Sequence, residues 1–239
     1  MKKPPAPTIK IFADCADFGS IRKALDLPHV AGFTTNPSLV SQAGVDKYTA
    51  YARKVLDMVP DLPVSFEVFS DSDEGMEKEA GIIRSWGKNV YVKIPVINSR
   101  GESRGRLIKT LSEAGIPLNV TVVFTAEQTA EAAKHLCPDT PALISVFAGR
   151  IADVGYDPLP IVRESHSLLR HLPKAELLWA STRELYNIYQ AQECGCHVIT
   201  APVSIIAKLS GVGKDLTQCS IDGVRAFMQD IAAANVKFA

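Results

Sequence analysis

The chain has 239 residues, and its 26 Lys+Arg are matched by 26 Asp+Glu, so no net charge draws it to nucleic acid or an anionic membrane. No apolar run approaches the roughly 20 residues of a membrane span, and the opening MKKPPAPTIKIFAD has no apolar signal core. With an odd five cysteines, these features predict a reduced, cytoplasmic protein, and the length suits one α/β barrel.

Short apolar runs alternate with amphipathic stretches from end to end, without a low-complexity segment or long linker. One domain over 1–239 is expected. The predicted strands are 9–14, 32–36, 64–68, 90–95, 117–124, 142–147, 176–181 and 197–202. Helical stretches are predicted over 18–26, 37–57, 74–86, 103–114, 125–136, 158–171, 182–194 and 203–209. Pro37 after Asn36, Thr125 with Gln128 three residues on, and Pro158 after Asp157 read as helix starts. Eight strand–helix repeats favour a closed (β/α)8 TIM barrel over an open doubly wound sheet. The segment 218–239, helical near 218–235, falls outside the eightfold pattern: a lid over the barrel, or an arm packing on a neighbouring subunit. Cys194-Gly195-Cys196 has the wrong spacing for a zinc knuckle and no second pair, so structural thiols are expected and no metal.

Parallel strands are covered on both faces, so a polar residue within one requires a reason. Side chains alternate along a strand. In 90-VYVKIP-95, Tyr91, Lys93 and Pro95 share one phase, opposite Val90, Val92 and Ile94. Ser65 pairs in this way with Glu67, Asn119 with Thr121 (opposite Leu118, Val120 and Val122), Phe12 with Asp14, Thr34 with Asn36, Ser145 with Phe147, and Trp179 with Ser181 followed by Arg183. The simplest arrangement points this phase into the barrel, with the polar groups toward the carboxyl ends, where barrels build active sites. Taken singly, Lys93 and Glu67 could be a buried ion pair, and Asp14 or Asn36 a helix cap. Together they are costly to a fold and predict a catalytic site.

A lysine among apolar walls is expected to lose solvation of its charged form and become a nucleophilic amine able to form a Schiff base with a carbonyl. The iminium is an electron sink that lets a neighbouring C–C bond break. Glu67 with Thr121 could hold a water, and Asp14 could move the proton of the hydroxyl beside that bond. Arg150 and Arg183 follow the sixth and seventh strands, near where barrels bind phosphate, so a phosphorylated sugar is the natural substrate class. No dinucleotide fingerprint, phosphate loop or His-rich cluster appears, and no cofactor is expected.

The segment 32-GFTTNPSL-39 resembles the transaldolase signature, and 90-VYVKIPV-96 resembles that family's Schiff-base lysine strand. The resemblance continues through 64-VSFEV-68, 119-NVTVVFT-125, 145-SVFAGRIAD-153 and 180-ASTRE-184, and the short length is similar to the subgroup that also contains fructose-6-phosphate aldolases. It implies a metal-independent transfer of dihydroxyacetone from fructose 6-phosphate or sedoheptulose 7-phosphate to an aldose phosphate, as in the pentose phosphate pathway. It implies Lys93 as nucleophile, Asp14 as acid/base, and Glu67 with Thr121 holding the water. Asn36 and Asn119, with Thr34 and Ser145 nearby, would bind the donor unit, Phe147 would shape the pocket, and Arg150, Ser181 and Arg183 would bind phosphate. Glu67 and Phe147 resemble transaldolases, whereas the aldolases usually carry Gln and Tyr; this favours transfer over release of dihydroxyacetone. The stretch 96-VINSRGES-103, Trp179 and Glu184 depart from the family pattern near the substrate mouth, which leaves room for a sulfonated or otherwise unusual sugar. A phosphosugar-binding barrel without catalysis is the reading from another class. A homo-oligomer, in rings of five or stacked tens, follows from the resemblance alone.

Overall fold

The computed structural model describes residues 4–234, and their contacts divide into two compact units. Residues 7–207 form the first. Its strands β1 (Lys10–Asp14), β2 (Val30–Thr34), β3 (Val64–Glu67), β4 (Val90–Pro95), β5 (Leu118–Val123), β6 (Ala142–Val146), β7 (Ala175–Trp179) and β8 (Val198–Ala201) are all parallel, and β8 pairs with β1 to close the barrel. The helices are α1 (Phe18–Leu25) after β1, α2 (Pro37–Gln42) and α3 (Tyr48–Met58) after β2, α4 (Asp73–Arg84) after β3, α5 (Gly105–Glu113) after β4 and α6 (Ala126–His135) after β5. They continue with α7 (Ala148–Asp153) and α8 (Pro158–Leu168) after β6, α9 (Tyr186–Glu193) after β7 and α10 (Val203–Ile206) after β8. The (β/α)8 barrel expected from the alternation is therefore present.

One phase of each strand is an apolar layer buried against the helices: Val64 and Phe66, Val90, Val92 and Ile94, Leu118 and Val120, Ile144 and Val146. Each such side chain stabilises by roughly 1.5–3 kcal/mol over its exposed state, which fixes strand register, since a slip of one residue would turn the whole set inward. The inner phase begins as an apolar plug of Phe12, Leu143, Leu178 and Val198, with Tyr91 packed against it. Above that plug, toward the carboxyl ends, the inward positions become polar.

The helix starts follow the sequence signals. Thr125 and Gln128 form a reciprocal capping box, and Asp157 caps the Pro158 helix. The cap of α1 is Asp17, whose carboxylate accepts from the Ser20 N–H at 2.8 Å, so Asp14 does not serve as the cap. Three expectations are corrected. The single helix over 37–57 is two, interrupted at Gly44, whose φ of 67° is the left-handed conformation that ends helices. The six-residue α7 was missed because it carries no side-chain cap and is too short for a periodic pattern. In β7 the inward phase is Leu178 and Ala180: Leu178 pairs with inward Ser145 and Trp179 with outward Val146. Trp179 thus lies among the helices, and its buried indole N–H has no hydrogen-bond partner among the described residues.

The second unit comprises residues 208–234 with 4–6. Its helix α11 (Leu216–Ala234) is capped by Asp215, whose carboxylate accepts from the Gln218 N–H at 2.9 Å. Ile221, Val224, Phe227, Met228 and Ile231 lie at helical spacing on one face, and all are exposed, Phe227 at 69%. The expected terminal helix is present; residues 235–239 of the predicted arm lie outside the described residues.

Candidate active site

Parallel pairing of β3 with β4 puts Glu67 beside Lys93. The ammonium nitrogen lies 3.2 Å from Glu67 Oε2, and the two side chains are 8% and 13% exposed. Lys93 also donates to the Thr35 carbonyl at 3.0 Å. Val92 and Ile94 face the opposite way and are fully buried, so the chain enters apolar on one side and delivers an amine on the other. The ion-pair reading is realised, yet such a pair is weak evidence for stability, and here both members open onto a cavity of about 470 Å³. Behind β3, the Tyr48 phenol of α3 accepts the Glu67 N–H at 3.1 Å. Burial pushes that phenol up to about 12, so it remains a neutral brace for the strand.

Asp14 stands at the end of β1 in the same cavity. Thr34 donates to its Oδ1 at 2.9 Å and Asn36 to its Oδ2 at 3.5 Å. Desolvation by burial raises its pKa above the ordinary 3.8, and the Lys93 charge and the Thr34 and Asn36 hydrogen bonds offset only part of that. A carboxyl held in this way exchanges a proton nearer to neutrality. The Thr34 hydroxyl is in turn 2.6 Å from that of Thr200; with Thr34 donating to an ionised Asp14, Thr200 must be the donor of this link. Asn36 does two things at once, since its Oδ1 also accepts the Leu39 N–H at 3.0 Å as the cap of α2.

Ser145 donates to Asn119 Oδ1 at 2.7 Å, and Asn119 Nδ2 donates to Ser65 at 3.0 Å. This buried chain of hydrogen bonds fixes the floor and leaves Asn119 beneath the cavity rather than in its wall. Thr121 lines the cavity, and its buried hydroxyl has no protein partner among the described residues. Leaving a buried hydroxyl unpaired costs about 1–3 kcal/mol, so this one is a ready donor or acceptor for an occupant. Next to it Val122 adopts φ 61° at a register shift between β5 and β6, a strained conformation for a β-branched residue. The expected outward phase of Val122 is thereby corrected: the kink brings it to the cavity wall.

At the far side stand Phe147, Arg150 and Ser181. The Arg150 guanidinium lies 5.1 Å from the Phe147 ring centre and has no carboxylate partner among the described residues. Ser181 follows β7 at φ 64°, a turn that carries it into the wall although its strand phase would not. Arg183 does not reach the cavity wall; its Nε and Nη2 bind the Asp153 carboxylate. The cavity thus gathers every predicted site residue except Asn119 and Arg183. Thr200 was missed although its period-two signal lay within 197–202. Thr35, Tyr48 and Asp153 carried no such signal, because each meets the site through pairing distant in sequence.

The chain matches the transaldolase/fructose-6-phosphate aldolase family over residues 11–238. The chain belongs to that family. A protein of Thermoanaerobacter sp. (strain X514) named "Probable transaldolase" is 33% identical over 230 residues, covering 96% of this chain and 100% of its own. The "Probable transaldolase" of Thermoplasma acidophilum is 35% identical, covering 93% and 95%, and the "Probable transaldolase 2" of Listeria monocytogenes is 34% identical, covering 96% and 99%. Membership makes this transaldolase-family barrel an aldolase-type enzyme. No helix among its described residues is long and apolar enough to cross a membrane.

Proposed function

We propose that this enzyme moves a dihydroxyacetone unit from a ketose phosphate to an aldose phosphate through a Schiff base on Lys93. The observation that carries the reading is the Lys93 amine, 3.2 Å from Glu67, in one cavity with Asp14. Glu67 can take a proton from the ammonium, leaving the amine to add to the ketose carbonyl. The carbinolamine then loses water to become an iminium, with Glu67 and the unpaired Thr121 hydroxyl handling that water. Asp14 accepts the hydroxyl proton as the adjacent C–C bond breaks, the bonding electrons enter the iminium to give an enamine, and the aldose departs. An incoming aldehyde is attacked by the enamine, Asp14 returns its proton to the new alkoxide, and water releases the product from Lys93. Atoms and electrons balance without an external redox partner.

Phe147 favours transfer over release, since the ring beside the cavity offers no hydroxyl to protonate the enamine. Incubation with fructose 6-phosphate, with and without erythrose 4-phosphate, tests this. Transfer requires the acceptor; glyceraldehyde 3-phosphate formed at a comparable rate without it would establish the aldolase instead. A sulfonated ketose in the same donor panel addresses the anionic group. We further propose that the apolar face of α11 is covered by another copy of this chain, giving a homo-oligomer.

A further inference from the structure

We propose that Asp153 is the positioning residue of the anion-binding end: it holds Arg183 so that the distal edge of the guanidinium meets the anionic group of the substrate. The inference rests on the sugar-phosphate reading above. Of the two arginines expected to bind phosphate, Arg183 is engaged elsewhere, its Nε donating to Asp153 Oδ1 at 3.2 Å and its Nη2 to Oδ2. A guanidinium has five N–H groups in a rigid fork. This bidentate contact uses two, along one side, and among the described residues leaves the Nη1–Nη2 end open to a second planar, bidentate partner such as a phosphate.

The surroundings hold the stem and backbone of Arg183 against residues that adjoin the site. Arg183 lies two residues beyond Ser181, which lines the cavity. Its stem packs so closely on α7 that a Cβ at Gly149 would lie 3.1 Å from its Cγ, and Gly149 adjoins Arg150, the arginine that lines the cavity. The backbone is fixed as well, with the Arg183 and Glu184 N–H groups both donating to Asn187 Oδ1, at 2.9 and 3.1 Å. Arg183 and Asp153 are each 50% exposed, so as a stability device the pair is worth little. Its consequence lies in order: an unpaired arginine would have to be immobilised each time an anion bound, whereas this one is oriented beforehand. Asp153 belongs to α7 and Arg183 to the segment after β7, so the contact also ties together the two elements that carry Arg150 and Ser181.

The test is a double-mutant cycle in the full chain, read with fructose 6-phosphate as donor. Asp153→Ala should raise KM about tenfold with kcat little changed, because the lost orientation serves binding of the anion and not the chemistry at Lys93. The same substitution in an Arg183→Ala background should change KM less than twofold. Asp153→Asn, which keeps one acceptor oxygen and the side-chain shape, should fall between parent and alanine and guards against a folding defect in the alanine variant. A fall in KM would show Asp153 to be a competitor of the anion, and an equal effect with and without Arg183 would show that it acts by another route; either overturns the proposal. Borohydride trapping of unphosphorylated dihydroxyacetone on Lys93 separates the two layers. Trapping in Asp153→Ala at the parent's level is the expected result. No trapping in the parent would overturn the Schiff-base reading itself, and the proposal with it.

Discussion

At the scale of single residues, the site is a set of groups whose neighbours decide what they can do. Lys93→Arg keeps a cation beside Glu67 but cannot form an imine, because a guanidinium stays protonated; borohydride trapping should vanish and turnover fall by at least about 10³-fold. Wild-type turnover in that variant would remove Lys93 from the mechanism. Asp14 supplies the pH prediction. Its pKa is raised by burial, so the folded chain keeps a proton at pH values where the unfolded chain has lost it. Its contribution to stability is therefore fully present below the unfolded value near 3.8 and is lost as pH rises through the folded one. Asp14→Asn has no such proton to lose. Its Tm relative to the parent should rise as pH climbs through that window, while carbon transfer is abolished; a Tm difference that falls with pH would contradict the raised value. Lys93 and Glu67 were legible as a pair because they occupy polar positions in otherwise apolar strands. Tyr48, whose phenol braces Glu67 from behind, was not, since nothing in its own helix distinguishes it from a core aromatic.

At the scale of elements, the barrel end depends on close approach. A Cβ at Gly149 would stand 1.6 Å from the Ser181 carbonyl oxygen, so α7 and the segment after β7 can touch only because that position is glycine. Gly149→Ala should destabilise by about 1–3 kcal/mol or more, seen as a lower midpoint in denaturant. Because Ser181 sits at φ 64° in the cavity wall, KM for phosphorylated donors should rise too, and a variant with unchanged KM would show that this contact does not shape the anionic end. The strand count and most helix starts were legible from alternation and capping residues. The inward phase of β7 was not: its apolar residues satisfy either face, and only pairing of Leu178 with Ser145 decides between them. The kink at Val122 was equally hidden, since a β-branched residue is poorly suited to a positive φ and gives no sign of one.

At the scale of the whole molecule, the exposed apolar face of α11 sets the prediction. Ile221, Val224, Phe227, Met228 and Ile231 remain exposed together, the kind of patch by which proteins commonly meet a partner. Light scattering should show an oligomer, and Phe227→Glu should lower its mass; a monomeric parent would refute coverage by a second copy.

The sequence by itself determined the barrel, because eight apolar runs separated by amphipathic stretches of helical length admit few other architectures. It also marked out a candidate catalytic site, because a lysine and two carboxylates in one inward phase are costly to a fold. Tertiary structure alone decided what each group touches: that Thr35 and Glu67 hold Lys93, that Thr200 reaches Asp14 through Thr34, that Asn119 lies under the floor, and that Arg183 is bound by Asp153. The physical reason is that periodicity records which face a side chain takes. Register, strand kinks and the turns after strands set its partners, and those arise from pairing between segments far apart in the chain.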